Sequence, residues 1–196
     1  TNNKGLESIT KKLLIDKTDI TTDDIGYKIA PLINAVGRIG DPKLIIDLFT
    51  NESKVSVNKL TKECFTINKE RKRITSLITQ EALEIALSEY QNDRKFIVIS
   101  KREWHPGIIG IVAAKVVEKF NLPTALLAEA NDGKFRGSIR SNNRIKVNQA
   151  LEECSDLLIA YGGHSAAAGF SIKEENIKSL SERLNSIANR EFKNVN

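Results

Sequence analysis

Apolar positions along this chain keep two different periods, and the change from one to the other divides it. Val57, Leu60, Cys64, Ile67, Ile74, Ile78 and Ile85 recur at spacings built from three and four residues, the mark of one helix face. Only Arg71 and Glu81 interrupt that stripe. About 35 residues of helix span roughly 50 Å at 1.5 Å per residue. A small domain needs less, so this helix is expected to connect two domains. A shorter helix is predicted just before it, opened by Asp41-Pro42 and carried by Leu44, Ile45 and Leu48, because Asp caps a helix and Pro suits its first turn. Upstream, Leu6 to Leu14 reads as a helical patch, Thr21-Thr22-Asp23-Asp24 as a helix start and Pro31 to Gly40 as a loop. This part holds too little apolar sequence for a core of its own and is expected to be the tail of an upstream domain.

After the turn at Asn92-Asp93 the pattern becomes short apolar runs alternating with helical ones. Strands are predicted at Phe96–Ile99, Pro123–Leu127, Phe135–Arg140 and Ala167–Ile172. Helices are predicted at Pro106–Phe120, Val147–Leu158 and Glu174–Ala188. Alternation of this kind defines an α/β domain. The expected organisation is therefore a tail and loop over residues 1–40, a helical connector over 41–92, and an α/β domain over 93–196 with a mixed β-sheet flanked by helices.

Composition fits that picture: 40% of the 196 residues are hydrophobic and 28% are charged, as in a globular protein with a core. No run of about 18 apolar residues occurs, so no membrane span is expected. The sequence starts at Thr1 and contains no Met, and is expected to be a piece of a longer protein. Cys64 and Cys154 lack metal-ligand spacing and read as reduced thiols of a cytoplasmic protein. The net charge is +5. It is unevenly spread: from Gly133 to Leu151 there is no Asp or Glu, but there are Lys134, Arg136, Arg140, Arg144 and Lys146. Such a run is either a solvated face or a surface for phosphates.

Four motifs carry candidate chemistry. In Gly162-Gly163-His164-Ser165-Ala166-Ala167-Ala168-Gly169, two glycines would allow positive φ and a close backbone approach, leaving His164 to meet a phosphate or merely to stand exposed on a tight turn. In Gly137-Ser138-Ile139-Arg140, strand alternation puts a hydroxyl and a guanidinium on one face. The pair suits a terminal phosphate or is the plain polar face of an edge strand. Trp104-His105-Pro106-Gly107-Ile108-Ile109-Gly110 reads as a packing Trp before a helix whose first amides suit an anion, with the role of His105 open. Pro31 to Gly40, with Arg38, is no Walker loop, since no Gly-Lys-Ser/Thr follows. His105 and His164 are the only histidines, and no carboxylate cluster has metal-ligand spacing, so no metal site is expected in this chain.

In this order the motifs resemble the RecJ family, 5′-to-3′ single-strand DNA exonucleases of the DHH phosphoesterase superfamily. Pro31 to Gly40 resembles the family's loop before the connecting helix, and Asn68 and Arg71 fit that helix's Asn-x-x-Arg. Trp104 to Gly110, Gly137 to Ser141 and Gly162 to Gly169 resemble three landmarks of the DHH-associated domain. The resemblance implies a DHH domain upstream that holds manganese or magnesium and performs hydrolysis, and a domain here that binds single-stranded DNA. It makes Ser138 and Arg140 candidates for the 5′-terminal phosphate. It places His164, with Gly162 and Gly163, near the scissile phosphate as an auxiliary catalytic group. It makes Arg38 a cleft residue. Arg136 and His105 join the candidate binding residues. The fragment alone is expected to be inactive, and the parent to act in DNA repair and recombination, with DNA repair proteins as further partners. One departure is Leu32, where the family commonly has Arg. Two alternatives stand beside this reading: another DHH phosphodiesterase acting on oligonucleotides or cyclic dinucleotides, and a non-catalytic nucleic-acid-binding or replication scaffold module.

Overall fold

A computed structural model describes residues 2–15, 20–142 and 144–193; parts of the expected 1–40 tail therefore lie outside the described residues. The chain divides into two compact units, residues 1–73 and 74–196, and the division falls inside one continuous helix.

The first unit is helical. Helix α1 (Lys4–Lys12) is capped by Asn3, whose side chain accepts from the Leu6 amide at 2.9 Å, the usual way to satisfy an orphan donor at a helix start. The predicted start near Thr21 is real: Asp24 accepts from the Thr21 hydroxyl at 2.9 Å and from its amide at 3.2 Å. A π-helical turn (Asp24–Ile29) then runs into α2 (Ala30–Ile39). The segment expected as a loop over 31–40 is therefore a helix. Pro31 falls where the π-helical turn, closed by a bond from the Ala30 amide to the Ile25 carbonyl, passes into α2, a local break in the α-helical ladder where a residue without an amide is accommodated. Leu32, Ala35 and Val36 are buried and supply the inward stripe that the two glycines of the segment obscure. Helices α3 (Lys43–Thr50) and the first part of α4 (Lys54–Gln91) complete the unit. Ile9, Leu32, Val36, Leu48, Val57 and Cys64 form its core. Leu32 is 1% exposed, so the position that departs from the family pattern faces apolar neighbours, where a guanidinium would need a partner.

The second unit contains the rest of α4, with Ile78, Ala82 and Ala86 buried, and a five-stranded sheet. Its elements are β1 (Ile97–Lys101), α5 (Pro106–Phe120), β2 (Thr124–Glu129), β3 (Phe135–Arg140), α6 (Val147–Glu152), β4 (Leu158–Gly163), β5 (Ala167–Ile172) and α7 (Ile177–Lys193). The strand order is β1-β2-β3-β5-β4, with β1 parallel to β2 and the remaining neighbours antiparallel. This is the mixed α/β sheet the sequence predicts. Helix α5 lies against β2 and β3. On the opposite face, Leu127, Phe135, Ile139, Phe170 and Ile172 pack with Leu151 of α6 and Leu180, Leu184 and Ile187 of α7. Asn185 ties α7 to the start of β1: its carbonyl accepts from the amides of Lys95 and Phe96, and its amide donates to the Phe96 carbonyl at 2.8 Å.

One strand was not read from the sequence. The helix expected to reach Leu158 stops at Glu152, and after a short 3-10 turn the chain forms β4 at the sheet's edge. Residues 159–163 are all exposed, so the period-2 alternation that reveals a half-buried strand is absent there.

Both cysteines are buried and free, and burial, the largest cause in each case, pushes each thiol up to about 11. Only the thiolate reacts with a chromogenic disulfide. At pH 8 the folded chain is expected to titrate no thiols within minutes, and two after denaturation. Immediate titration of either in the folded state would contradict the packing described here.

Candidate functional site

Strand β3 sets the geometry. Phe135, Gly137 and Ile139 are buried on one face, and Arg136, Ser138 and Arg140 stand half-buried on the other. At about 3.3 Å per residue the polar row covers roughly 13 Å. Arg140 curls back along it, with Nη1 donating to the Ser138 hydroxyl at 2.9 Å and to the Ile139 carbonyl at 2.7 Å. Helix α5 walls this row on one side. A Cβ at Gly110 would stand 2.9 Å from Ser138 Oγ and 3.0 Å from Arg140 Nη2, so only glycine lets the helix approach without displacing both polar heads. The motif reading treated Gly110 as part of a helix start and missed this role; its signal lies only in the three-dimensional neighbour.

On the other side the floor opens. Pairing register carries the face from Arg136 to Ser171 and Ala160, from Ser138 to Gly169 and Gly162, and from Arg140 to Ala167. Every floor residue past the arginines is small, so the backbone of β5 and β4 is accessible beside the polar row. The two predicted landmarks, Ser138-Arg140 and Gly162-Gly163-His164, thus meet at one end of one sheet face.

His164 sits on the tip of the β4–β5 hairpin, exposed. Its amide donates to the Ala167 carbonyl at 2.8 Å and its carbonyl accepts from the Ala167 amide at 3.3 Å. The tip is anchored further: the Val147 amide donates to the Ser165 carbonyl and the Ser141 amide to the Ala166 carbonyl, each at 2.9 Å. Backbone bonds thus hold the imidazole's position. The two glycines before it differ. Gly163 has φ of +148°, and a Cβ there would lie 2.4 Å from Ala168 Cα. Gly162 has no positive φ and open space where a Cβ would stand; the expectation of two conformationally special glycines holds for one.

At the other end of the row, Arg136 shares a cavity of about 430 Å³ with His105, Pro106 and Asp132. Asp132 pairs with Arg136 at 2.8 Å, a carboxylate just outside the basic run. The run itself is not one surface. Arg136 and Arg140 share a face, whereas Arg144 lies over the Phe192 ring of α7 at 5.9 Å. At the α5 start His105 is the helix cap, and its Nδ1 accepts from the Gly107 amide at 3.0 Å, so that amide is already bonded. Trp104 is 3% exposed, and its Nε1 donates to Glu81 at 2.9 Å. That bond first, and one from Lys101 second, hold the Glu81 carboxyl below its usual range. The charge that breaks the apolar stripe of α4 thereby anchors the loop before α5.

Arg38 belongs to the first unit, exposed in the last turn of α2. Its charge is felt by Arg71, whose guanidinium is held below its usual value by partial burial first and by Arg38 second. Arg71 Nη2 donates to Asn68 Oδ1 at 2.7 Å, so the Asn-x-x-Arg pair is a real contact on α4. Among the described residues no group of three or more His, Cys, Asp and Glu stands together; the manganese or magnesium that the family resemblance implies belongs, on that resemblance, to an upstream domain. Among the described residues no helix is long and apolar enough to cross a membrane.

This sheet, with its glycine-bordered arginine row, is the fold of a DHH-associated domain: the sequence profile of the DHHA1 domain matches residues 93–190, and the chain belongs to that family. The likeness extends past the domain, to RecJ. The chain is 36% identical to the single-stranded-DNA-specific exonuclease RecJ of Bacillus subtilis over 96% of its own length and 24% of the relative's. It is 28% identical to the Salmonella typhimurium enzyme of the same name over 92% of this chain and 32% of that one. It superposes on RecJ of Thermus thermophilus in complex with Mg2+ with a TM-score of 0.85 at 27% identity, covering 97% of this chain and 29% of that one. A RecJ bound to manganese gives 0.82 at 28% identity, with 95% and 46% covered. The resemblance read from the motifs is borne out, and the chain spans about a quarter to a third of the curated relatives described here.

Proposed function

We propose that this chain is the substrate-gripping part of a 5′-to-3′ single-strand-specific DNA exonuclease. The observation that carries this reading is the Ser138–Arg140 pair, held against Gly110 beside an open backbone floor. A guanidinium and a hydroxyl 2.9 Å apart present several donors to one tetrahedral anion. The reading assigns Ser138 and Arg140 to the 5′-terminal phosphate and the exposed backbone of Gly162 and Gly163 to the strand beside it. His164 lies at the scissile phosphate, Arg136 and His105 at the far end of the row, and Arg38 at the strand from the first unit. Manganese or magnesium belongs to an upstream DHH domain of the same parent chain, which performs the hydrolysis, so this chain alone releases no nucleotides. Repair and recombination are the processes such a parent serves, with other DNA repair proteins as partners.

The test is binding of a single-stranded oligonucleotide by fluorescence anisotropy, with and without a 5′-phosphate, across a salt series. Two or three phosphates neutralised at this site contribute about −1.4 to −2.1 to the slope of log affinity against log salt. Hydrogen bonds to a charged group contribute about 1.5 kcal/mol or more, so the 5′-phosphate is expected to tighten binding about tenfold. Arg140→Ala should erase that gain. Gly110→Ala should weaken it too: its Cβ displaces only the mobile ends of Ser138 and Arg140, and the better helix propensity of Ala protects stability. No binding at low salt, or a phosphate preference untouched by Arg140→Ala, would overturn the assignment. Displacement by a cyclic dinucleotide with no affinity for the strand would favour the other phosphodiesterase reading.

A further inference from the structure

The first unit carries a second basic surface that the motifs did not single out. An open groove of about 840 Å³ is lined by Lys12, Lys28, Lys62, Lys69 and Lys72 together with Tyr27 and Phe65, and among the described residues no Asp or Glu lines it. Its wall on α4 has helical order. Lys62, Phe65, Lys69 and Lys72 follow one another at spacings of three, four and three, which places them on one face. No Asp or Glu stands three or four residues to either side of Lys62, Lys69 or Lys72, so the helix offers these charges no acidic neighbour. Lys69 and Lys72 instead face each other's charge, an arrangement that disfavours the helix by itself. Of the five lysines, Lys28 is neutralised by Asp24 at 2.6 Å. The apolar elements are equally specific. Lys12 lies over the Phe65 ring with Nζ 4.5 Å from its centroid, and Tyr27 is 81% exposed, which leaves it accessible at the groove's edge.

Lysines along a groove with an aromatic ring at its rim are what a sequence-independent single-strand site requires: cations for the backbone and a π-face for a base. We infer that this groove is a second nucleic-acid contact, taking the phosphodiester backbone of a single strand along Lys62, Lys69 and Lys72 with a base on Tyr27. The choice of ligand rests on the proposed reading of the parent as a single-strand nuclease. The contact carries no sequence or end specificity, because lysines meet phosphates as point charges.

The experiment uses the whole chain and an unphosphorylated single-stranded oligonucleotide, so that the 5′-phosphate pocket contributes least. Three variants are compared with wild type by anisotropy, each first checked for helicity by circular dichroism: Lys62→Glu with Lys69→Glu, Tyr27→Ala, and Arg140→Ala. Removing two phosphate contacts reduces the salt slope by about 1.4, which is about 25-fold in affinity at 0.1 M salt relative to 1 M. The double lysine variant is expected to show at least that loss and the flatter slope while retaining the gain from a 5′-phosphate. Tyr27→Ala is expected to weaken binding about 5-fold without changing the slope. Unchanged affinity in the double lysine variant, with wild-type binding still sensitive to Arg140→Ala, overturns the groove and leaves the sheet site standing. Loss of all binding in wild type overturns both. If the double lysine variant is unfolded, Lys62→Gln with Lys69→Gln is expected to give the same slope change with smaller amplitude, and an unchanged slope there overturns the inference.

Discussion

Gly163→Ala is expected to lower the melting temperature of this chain sharply, while Gly162→Ala leaves it almost unmoved. The two glycines are neighbours in sequence and share exposure, so composition cannot separate them. Conformation does. At φ of +148° a side chain is strained by about 1–3 kcal/mol. The Cβ would also meet Ala168 Cα at 2.4 Å and the Ala167 carbonyl oxygen at 2.5 Å. Those are backbone atoms of the paired strand, so relief requires the hairpin to move, and overpacking of this kind costs about 1–3 kcal/mol more. For a chain of this size each kcal/mol shifts Tm by about 2–4 °C, which gives a fall on the order of 10 °C. At Gly162 nothing lies within 4 Å of the added methyl, and a surface change away from special features stays within about 0.5 kcal/mol. Thermal unfolding of both variants checks this directly. Equal shifts would mean that the hairpin is not held as described.

The same contrast shows where sequence reasoning succeeds and where it stops. Helix α5 was legible because Pro106 marks its start and apolar residues fill several of its faces. Strand β3 was legible because Phe135, Gly137 and Ile139 alternate with Arg136, Ser138 and Arg140. Strand β4 was not, since an exposed edge strand bears no alternating burial. Helix α2 reads as a loop in the sequence because glycines at 37 and 40 mask the buried stripe of Leu32, Ala35 and Val36. The basic run from Lys134 to Lys146 looked like one surface; in space Arg136 is paired with Asp132 and Arg144 turns to Phe192. Close approaches are the least legible of all. Gly110 matters because of atoms on β3, and Gly137 because a Cβ there would lie 2.1 Å from the Phe170 ring of β5. Neither neighbour is close in sequence.

His164→Ala is expected to leave stability intact and to cut turnover steeply in the full-length parent. The side chain is exposed on the hairpin tip, and the hydrogen bonds that fix the tip run from the backbone of residues 164–167 to one another and to Ser141 and Val147. Truncation at Cβ removes none of those bonds and opens no buried cavity, so unfolding should shift by no more than about 0.5 kcal/mol. The imidazole stands on the hairpin that adjoins the Arg140 end of the polar row, since Arg140 pairs with Ala167, three residues on. On the proposed reading, a donor placed there meets a phosphate oxygen as charge builds on it. Removing one preorganised donor of that kind typically costs about 10²–10³ in turnover, or roughly 3–4 kcal/mol. The loss should fall on kcat more than on KM, because the interaction strengthens toward the transition state. The measurement pairs thermal unfolding with steady-state kinetics of the variant parent on single-stranded DNA. Near-normal kcat would reduce His164 to a surface residue of the hairpin. An equal fall in Tm would make it part of the hairpin's framework, and the loss of activity would then follow from the fold rather than from a contact with the phosphate.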